Sequence, residues 1–163
     1  MAITKEKKKE ILSNLEGIVK SSQSLVFVHF KGVSVSDTGV MRRKLRSEGV
    51  GYVVAKKTLM KRAFDSKTIS GNLPPLEGEI AIAYGEDLLT PAREVHGFQV
   101  QLKNAVEIVG GVFDGVYKNK EEMMSIALIP SQKTLYAQFV HVIHSPIQKF
   151  AIALNAIAEK KSA

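Results

Sequence analysis

Four short runs of apolar and β-branched residues alternate with segments whose apolar residues recur at helical spacing. That alternation leaves the chain few folds to choose from. Residues 24–30, 52–55, 80–84 and 106–112 read as strands bounded by glycine, charged or turn-forming residues. Between the first two, Ser36 or Asp37 can cap a helix that passes through Met41 and Leu45 and stops near Gly49. Thr58 offers a cap for a short helix carrying Leu59, Met60, Ala63 and Phe64. Thr90 can cap a further helix running to about Asn104, with Pro91 at a first position whose N–H would be unbonded in any case. The order strand–helix–strand–short helix–strand–helix–strand is the split βαβ arrangement of a ferredoxin-like α+β sandwich.

Helices are added at both ends of that unit. Ile11, Leu12, Leu15, Ile18 and Val19 mark one face of a first helix over residues 5–19. Asp114-Gly115 turns the last strand into a short continuation at Val116-Tyr117. Asn119, with Glu122 three residues on, then caps a helix that ends before Pro130. Residues 70–75 form a loop and not a domain boundary, since too little chain precedes them. The expected division is an α+β domain over residues 1–130 and a helical arm over 131–163.

Within that arm the apolar pattern repeats after a shift of eleven. Leu135 maps onto Pro146, Phe139 onto Phe150, Val142 onto Ala153, Ile143 onto Leu154, and Pro146 onto Ile157. Eleven residues make three turns at ~3.67 residues per turn, so both copies fall on nearly the same face of one long helix. Two tandem docking positions would give this spacing, and so would one amphipathic helix folded back on its own domain.

Charge is segregated along the chain. Residues 1–67 hold 15 Lys and Arg against 6 Asp and Glu, residues 68–130 hold 4 against 9, and residues 131–163 hold 4 against 1. A basic front joined to an acidic middle gives a directed field that favours a polyanion on one side. The cations are also clustered. Arg42, Arg43 and Arg46 share one side of a helix, and Lys56, Lys57, Lys61 and Arg62 surround the next. Lys31-Gly32 closes the first strand where a backbone can approach closely. Thr58, at a helix start among lysines, offers N–H groups to a phosphate. Three such clusters within 32 residues point to nucleic-acid backbone binding.

Other chemistries find little support. The chain has no Cys, which excludes a disulfide framework and thiolate metal sites and fits a reducing compartment. His141 and His144 stand three apart on a helix, but apolar neighbours and no nearby carboxylate leave them without a metal-ligand set. No nucleophile elbow, phosphate-binding glycine loop or metalloprotease helix occurs, so neither an enzyme nor a cofactor is expected. No stretch suits a signal peptide or a membrane span, and a cytoplasmic protein is the expectation.

Several segments resemble a known family in order. They are Phe30-Lys31-Gly32-Val33-Ser34, Leu45-Arg46-Ser47-Glu48-Gly49, and the stretch from Val53 through Lys56-Lys57-Thr58-Leu59 to Arg62-Ala63. Leu76 with Gly78, Asp87, Gly110-Gly111 with Gly115, and Leu128-Ile129-Pro130-Ser131 complete the series. Together they resemble the bacterial large-subunit ribosomal protein that forms the stalk base, the tenth in the large-subunit numbering. The chain differs from the usual pattern at Lys57, Glu79 and Gln132. The resemblance implies an N-terminal domain that binds the GTPase-associated region of large-subunit rRNA beside ribosomal protein eleven. It implies a C-terminal helix carrying dimers of the acidic stalk protein (seven/twelve), which recruit translational GTPases. Members can also repress their own mRNA. Two dimers are expected, the first centred on Phe139, Val142 and Ile143 and the second on Phe150, Leu154 and Ile157. The rival expectation is a free-standing nucleic-acid-binding regulator with a self-associating helical tail.

Overall fold

A computed structural model describes residues 5–65, 69–102 and 105–162. Eleven elements follow in chain order. They are α1 (Lys5–Ser21), β1 (Ser24–Phe30), α2 (Val35–Ser47), β2 (Gly51–Val54), α3 (Lys57–Asp65), β3 (Ile80–Gly85), α4 (Thr90–Gln101), β4 (Val106–Phe113), β5 (Val116–Asn119), α5 (Lys120–Ala127) and α6 (Gln132–Ser162). The chain divides into two compact units, Met1–Ile129 and Pro130–Ala163.

In the first unit the strands form one antiparallel sheet in the order β2-β3-β1-β4-β5. The first four strands have the ferredoxin-like order, with β3 between β2 and β1. The short continuation after Gly115 adds β5 beyond β4. The α+β reading of the sequence holds.

Strand side chains alternate between faces, so one apolar strand feeds two cores. Val26 and Val28 of β1, with Ala81 and Ala83 of β3, pack under Met41 and Leu45 of α2, Val95 and Phe98 of α4, and Met123 of α5. Leu25 and Phe27, with Ile80 and Ile82, pack on the other face under Leu15 and Val19 of α1 and Met60, Ala63 and Phe64 of α3. Phe27 is fully buried and meets Phe64 edge-to-face, ring centroids 5.1 Å apart. Burial on both faces explains why these strands read as continuous apolar runs and not as alternating ones.

β4 breaks the alternation. Val28 pairs with Ile108 but Phe27 pairs with Gly110, so Val109 is an extra residue, a β-bulge. The bulge reverses the parity. Val106 and Ile108 join the core under α2, α4 and α5, whereas Val112 joins the core under α1 and α3. Beyond the bulge a Cβ on Gly111 would sit 2.9 Å from Met123 Cε and would also meet the Leu25 carbonyl, so glycine lets α5 lie close against β4.

Several helix starts differ from the sequence reading. Ser34, not Ser36 or Asp37, caps α2, and its Oγ accepts from Asp37 N at 3.1 Å. Lys56 occupies the cap position of α3, its carbonyl accepting from Leu59 N and Met60 N, so Thr58 lies in the first turn. Thr90 is already helical in α4 and is not its cap. The Asp87 carboxylate sits just ahead and accepts from the Thr90 hydroxyl. That bond, with the Leu89, Thr90 and Leu88 backbone N–H groups, holds the Asp87 pKa below the usual carboxylate value. Asn104, the expected end of this helix, lies outside the described residues.

Other termini agree with expectation. Gly49, at φ +73°, ends α2, with Val50 N bonded to Leu45 O at 2.8 Å and Gly49 N to Arg46 O at 3.2 Å. This is the double bond pattern of a glycine-terminated helix. Glu122 Oε2 accepts from Asn119 N at 3.1 Å at the start of α5. The loop over residues 70–75 is tied down at Ser70, which exchanges bonds with Gly115 O and Tyr117 N.

Candidate nucleic-acid interface and terminal helix

The sheet order decides which cations come together. β1 and β2 both run antiparallel to β3, so they are parallel to each other and their C-terminal ends lie at one end of the sheet. Lys31-Gly32 follows the first and Lys56-Lys57 the second, roughly 10 Å apart by strand spacing. Lys31 N is bonded to Ala105 O at 2.9 Å, which fixes that turn, and Gly32 takes φ +69°. All four residues are exposed.

α3 follows directly. Leu59, Met60, Ala63 and Phe64 are buried, so Lys57, Thr58, Lys61 and Arg62 are left on the solvent side. By helix geometry the N–H groups of Lys57 and Thr58 precede the first intrahelical acceptor, the Lys56 carbonyl, and remain available to an anion. The helix start expected at Thr58 thus lies two residues earlier, with Lys56 at the cap position.

α2 supplies the second group of cations and sorts them. Met41 and Leu45 are buried. Lys44 turns toward α4, with its Nζ 3.8 Å from Glu94 Oε2 and 5.2 Å from the Phe98 ring centroid. Arg42 turns the other way, its guanidinium 5.6 Å from the Tyr52 ring centroid. Arg42 and Arg46 line a cleft of about 510 Å³ with residues 49–53 and Tyr84. Arg43 is exposed but does not line that cleft, and its Nε donates to Gly39 O at 3.3 Å. Of the three arginines expected to form one patch, the structure therefore brings two into a cleft and leaves the third beside it.

Sequence reasoning missed Tyr52 and Tyr84. Both read simply as strand residues, and only the pairing of Gly51 with Tyr84 shows that the Tyr84 ring lies over a residue lacking a side chain. Burial pushes the Tyr52 hydroxyl pKa up to about 12, partly opposed by Arg42. The available signal was an aromatic residue in a short strand next to an arginine-rich helix.

The second unit is a single helix of 31 residues, about 46 Å long at 1.5 Å per residue. Ser131 begins it, accepting from Thr134 N through its Oγ at 3.4 Å and from Leu135 N through its carbonyl at 2.9 Å. The helix runs through Pro146, which offers no N–H to the Val142 carbonyl one turn earlier. Phe139, Val142, Ile143, Phe150, Leu154 and Ile157 are all exposed, from 51% to 67%. At 3.6 residues per turn they fall on one side, and the repeat brings the second group back to within roughly 20° of the first.

Among the described residues no group of three or more His, Asp or Glu side chains could hold a metal ion, and no helix is long and apolar enough to cross a membrane.

Comparison with known proteins identifies both units. The family described as Ribosomal protein L10 matches residues 3–100, and that described as Ribosomal protein uL10 C-terminal region matches residues 129–163. The large ribosomal subunit protein uL10 of Staphylococcus carnosus (strain TM300) is 34% identical over 157 residues, covering 96% of this chain and 94% of the relative. That of Shouchella clausii (strain KSM-K16) is 32% identical over 157 residues, with the same coverage. The chain belongs to the uL10 family of ribosomal proteins, structural components of the large subunit and not enzymes, and its place is in the cytoplasmic ribonucleoprotein that carries out translation.

Proposed function

We propose that this chain forms the base of the large-subunit stalk. Residues 1–130 grip the GTPase-associated region of large-subunit rRNA next to ribosomal protein eleven. Residues 131–163 anchor dimers of the acidic stalk protein, which recruit translational GTPases. The RNA would be held by Lys31, Gly32, Arg42, Arg43, Arg46, Lys56, Lys57, Thr58, Lys61 and Arg62.

One observation carries this reading. A helix of 31 residues exposes a continuous apolar side, with Phe139 at 66% and Phe150 at 67%, in two copies eleven residues apart. Stable proteins seldom leave such a stripe open to water, and it calls for a partner. Two copies on one face give two equivalent docking positions about 16 Å apart along the axis. The surplus of 4 Lys and Arg over 1 acidic residue in this segment suits acidic partners.

Native mass spectrometry of the co-expressed complex tests the proposal. One chain should carry four acidic subunits, and truncation after Ser145 should leave two. Three dimers on the intact chain, or loss of both after truncation, would rule out one dimer per copy. A defined homo-oligomer that forms without the acidic protein would favour the self-associating regulator instead.

A further inference from the structure

We propose that the cleft between α2 and the edge strand β2 receives an unpaired RNA base, stacked against Tyr52 and Arg42. This inference rests on the RNA-binding reading above and deepens it, because it separates one base-holding position from the phosphate-holding cations.

A surface that holds phosphates alone needs cations and no aromatic wall. The α3 cluster fits that description, with Lys57, Lys61 and Arg62 exposed and its aromatic ring, Phe64, buried beneath. The α2–β2 cleft is built differently. Two guanidinium-bearing residues, Arg42 and Arg46, and two tyrosines, Tyr52 and Tyr84, converge on one volume of about 510 Å³. That size lies in the range of small-ligand sites.

Arg42 already faces the Tyr52 ring at 5.6 Å from its centroid, so a planar cation and an aromatic ring are preset as neighbours. Gly51 has no side chain, and the Tyr84 ring occupies the position where its Cβ would stand, on the sheet face opposite Tyr52. Among the described residues β2 is the last strand of the sheet, so one row of its backbone N–H and C=O groups has no strand partner there. Those groups, with the Tyr52 hydroxyl, supply directional donors and acceptors at the base edge. Stacking planes, a hydrogen-bonding rim and a cation for the flanking phosphate are what recognition of a splayed-out RNA base requires. An apolar peptide would find two guanidinium groups in the way.

The test uses the full chain and the GTPase-associated rRNA fragment, with 2-aminopurine placed at each unpaired position in turn. One position should change its fluorescence on binding. Tyr52→Leu should abolish that change and weaken binding about 5- to 150-fold, the value of one stacked base. Tyr52→Phe, which keeps the ring, should retain the fluorescence change, and Arg42→Lys, which keeps the charge without the plane, should lose most of it.

An abasic nucleotide at the responsive position should cost as much as Tyr52→Leu, and the two together should cost no more than either. The salt dependence of binding should be the same for Tyr52→Leu as for the unaltered chain. Thermal melts of each variant separate loss of stacking from loss of folding, and Tyr52→Phe supplies the folded control. If no position responds, or a folded Tyr52→Leu binds as the unaltered chain does, the base pocket is refuted while phosphate binding stands. If the unaltered chain fails to bind the fragment at all, both readings fall.

Discussion

At the residue scale, two side chains show how burial and hydrogen bonding set stability. Phe27 is fully buried at the centre of the sheet and packs edge-to-face on Phe64. Phe27→Ala removes that ring pair and leaves a cavity, at an expected cost of about 3–5 kcal/mol. Chemical denaturation measures it, and a cost below about 1 kcal/mol would contradict the packing. Asp87 acts through charge. Its folded pKa is lowered, by the Thr90 hydroxyl first and the backbone N–H groups of Leu89, Thr90 and Leu88 after it. Stability from Asp87 is therefore full above the unfolded carboxylate value near ~3.9 and is lost as pH falls through the lower folded value. Asp87→Ala should be less stable than the unaltered chain at neutral pH, and the difference should shrink toward pH ~2. A gap that stays constant over that range would show that the Asp87 charge does not stabilise the start of α4. In the sequence, Ser36 or Asp37 reads as the cap of α2, and Ser34, which has the same chemistry, is passed over. Only the path of the chain, which puts Ser34 at φ −69° and ψ 155°, selects among them.

At the element scale, α3 and α6 use amphipathicity in opposite ways. α3 buries its apolar side and shows water its cations. Replacing Lys56, Lys57, Lys61 and Arg62 with Ala should weaken binding to the rRNA fragment and flatten its salt dependence. The slope should fall by roughly one for each phosphate that the variant no longer neutralises. An unchanged slope in a folded variant would move the phosphate-binding role to Arg42, Arg43 and Arg46. α6 shows its apolar side instead. Phe139→Asp places a charge in the middle of the first copy and should remove one acidic dimer while the second remains, as native mass spectrometry would read. β4 carries a different lesson. Its composition marks a strand correctly, but the extra Val109 that turns Val112 to the opposite core leaves no sign in the apolar pattern. A bulge is specified by the register of two paired strands, and a single strand does not contain it.

At the scale of the whole molecule, the front and the terminal segment both carry a surplus of positive charge, with an acidic middle between them. The basic front suits RNA, and the terminal segment, with 4 Lys and Arg against 1 acidic residue, suits acidic protein. Such fields act on encounter more than on final affinity. Raising salt should slow association of the acidic dimers with the chain and leave their dissociation nearly unchanged, as stopped-flow mixing would show. A dissociation rate that rises with salt as steeply as association falls would place ion pairs, and not apolar packing, at the centre of that interface.

The order of the elements, the apolar runs of the strands, the segregation of charge and the repeat along the terminal helix are all legible in the amino-acid order. Each is a local property, carried by spacing, by composition or by a single glycine such as Gly49. What distant segments do to one another emerges only on folding. Insertion of β3 between β1 and β2 brings Lys31 and Lys56 to one end of the sheet. Packing turns Lys44 to Glu94 and Arg42 to Tyr52, although the two cations are two residues apart on one helix. Strand pairing sets Tyr84 over Gly51. Helical spacing gives the angle between neighbouring side chains, but which side faces a strand and which faces another helix is settled only when the layers pack.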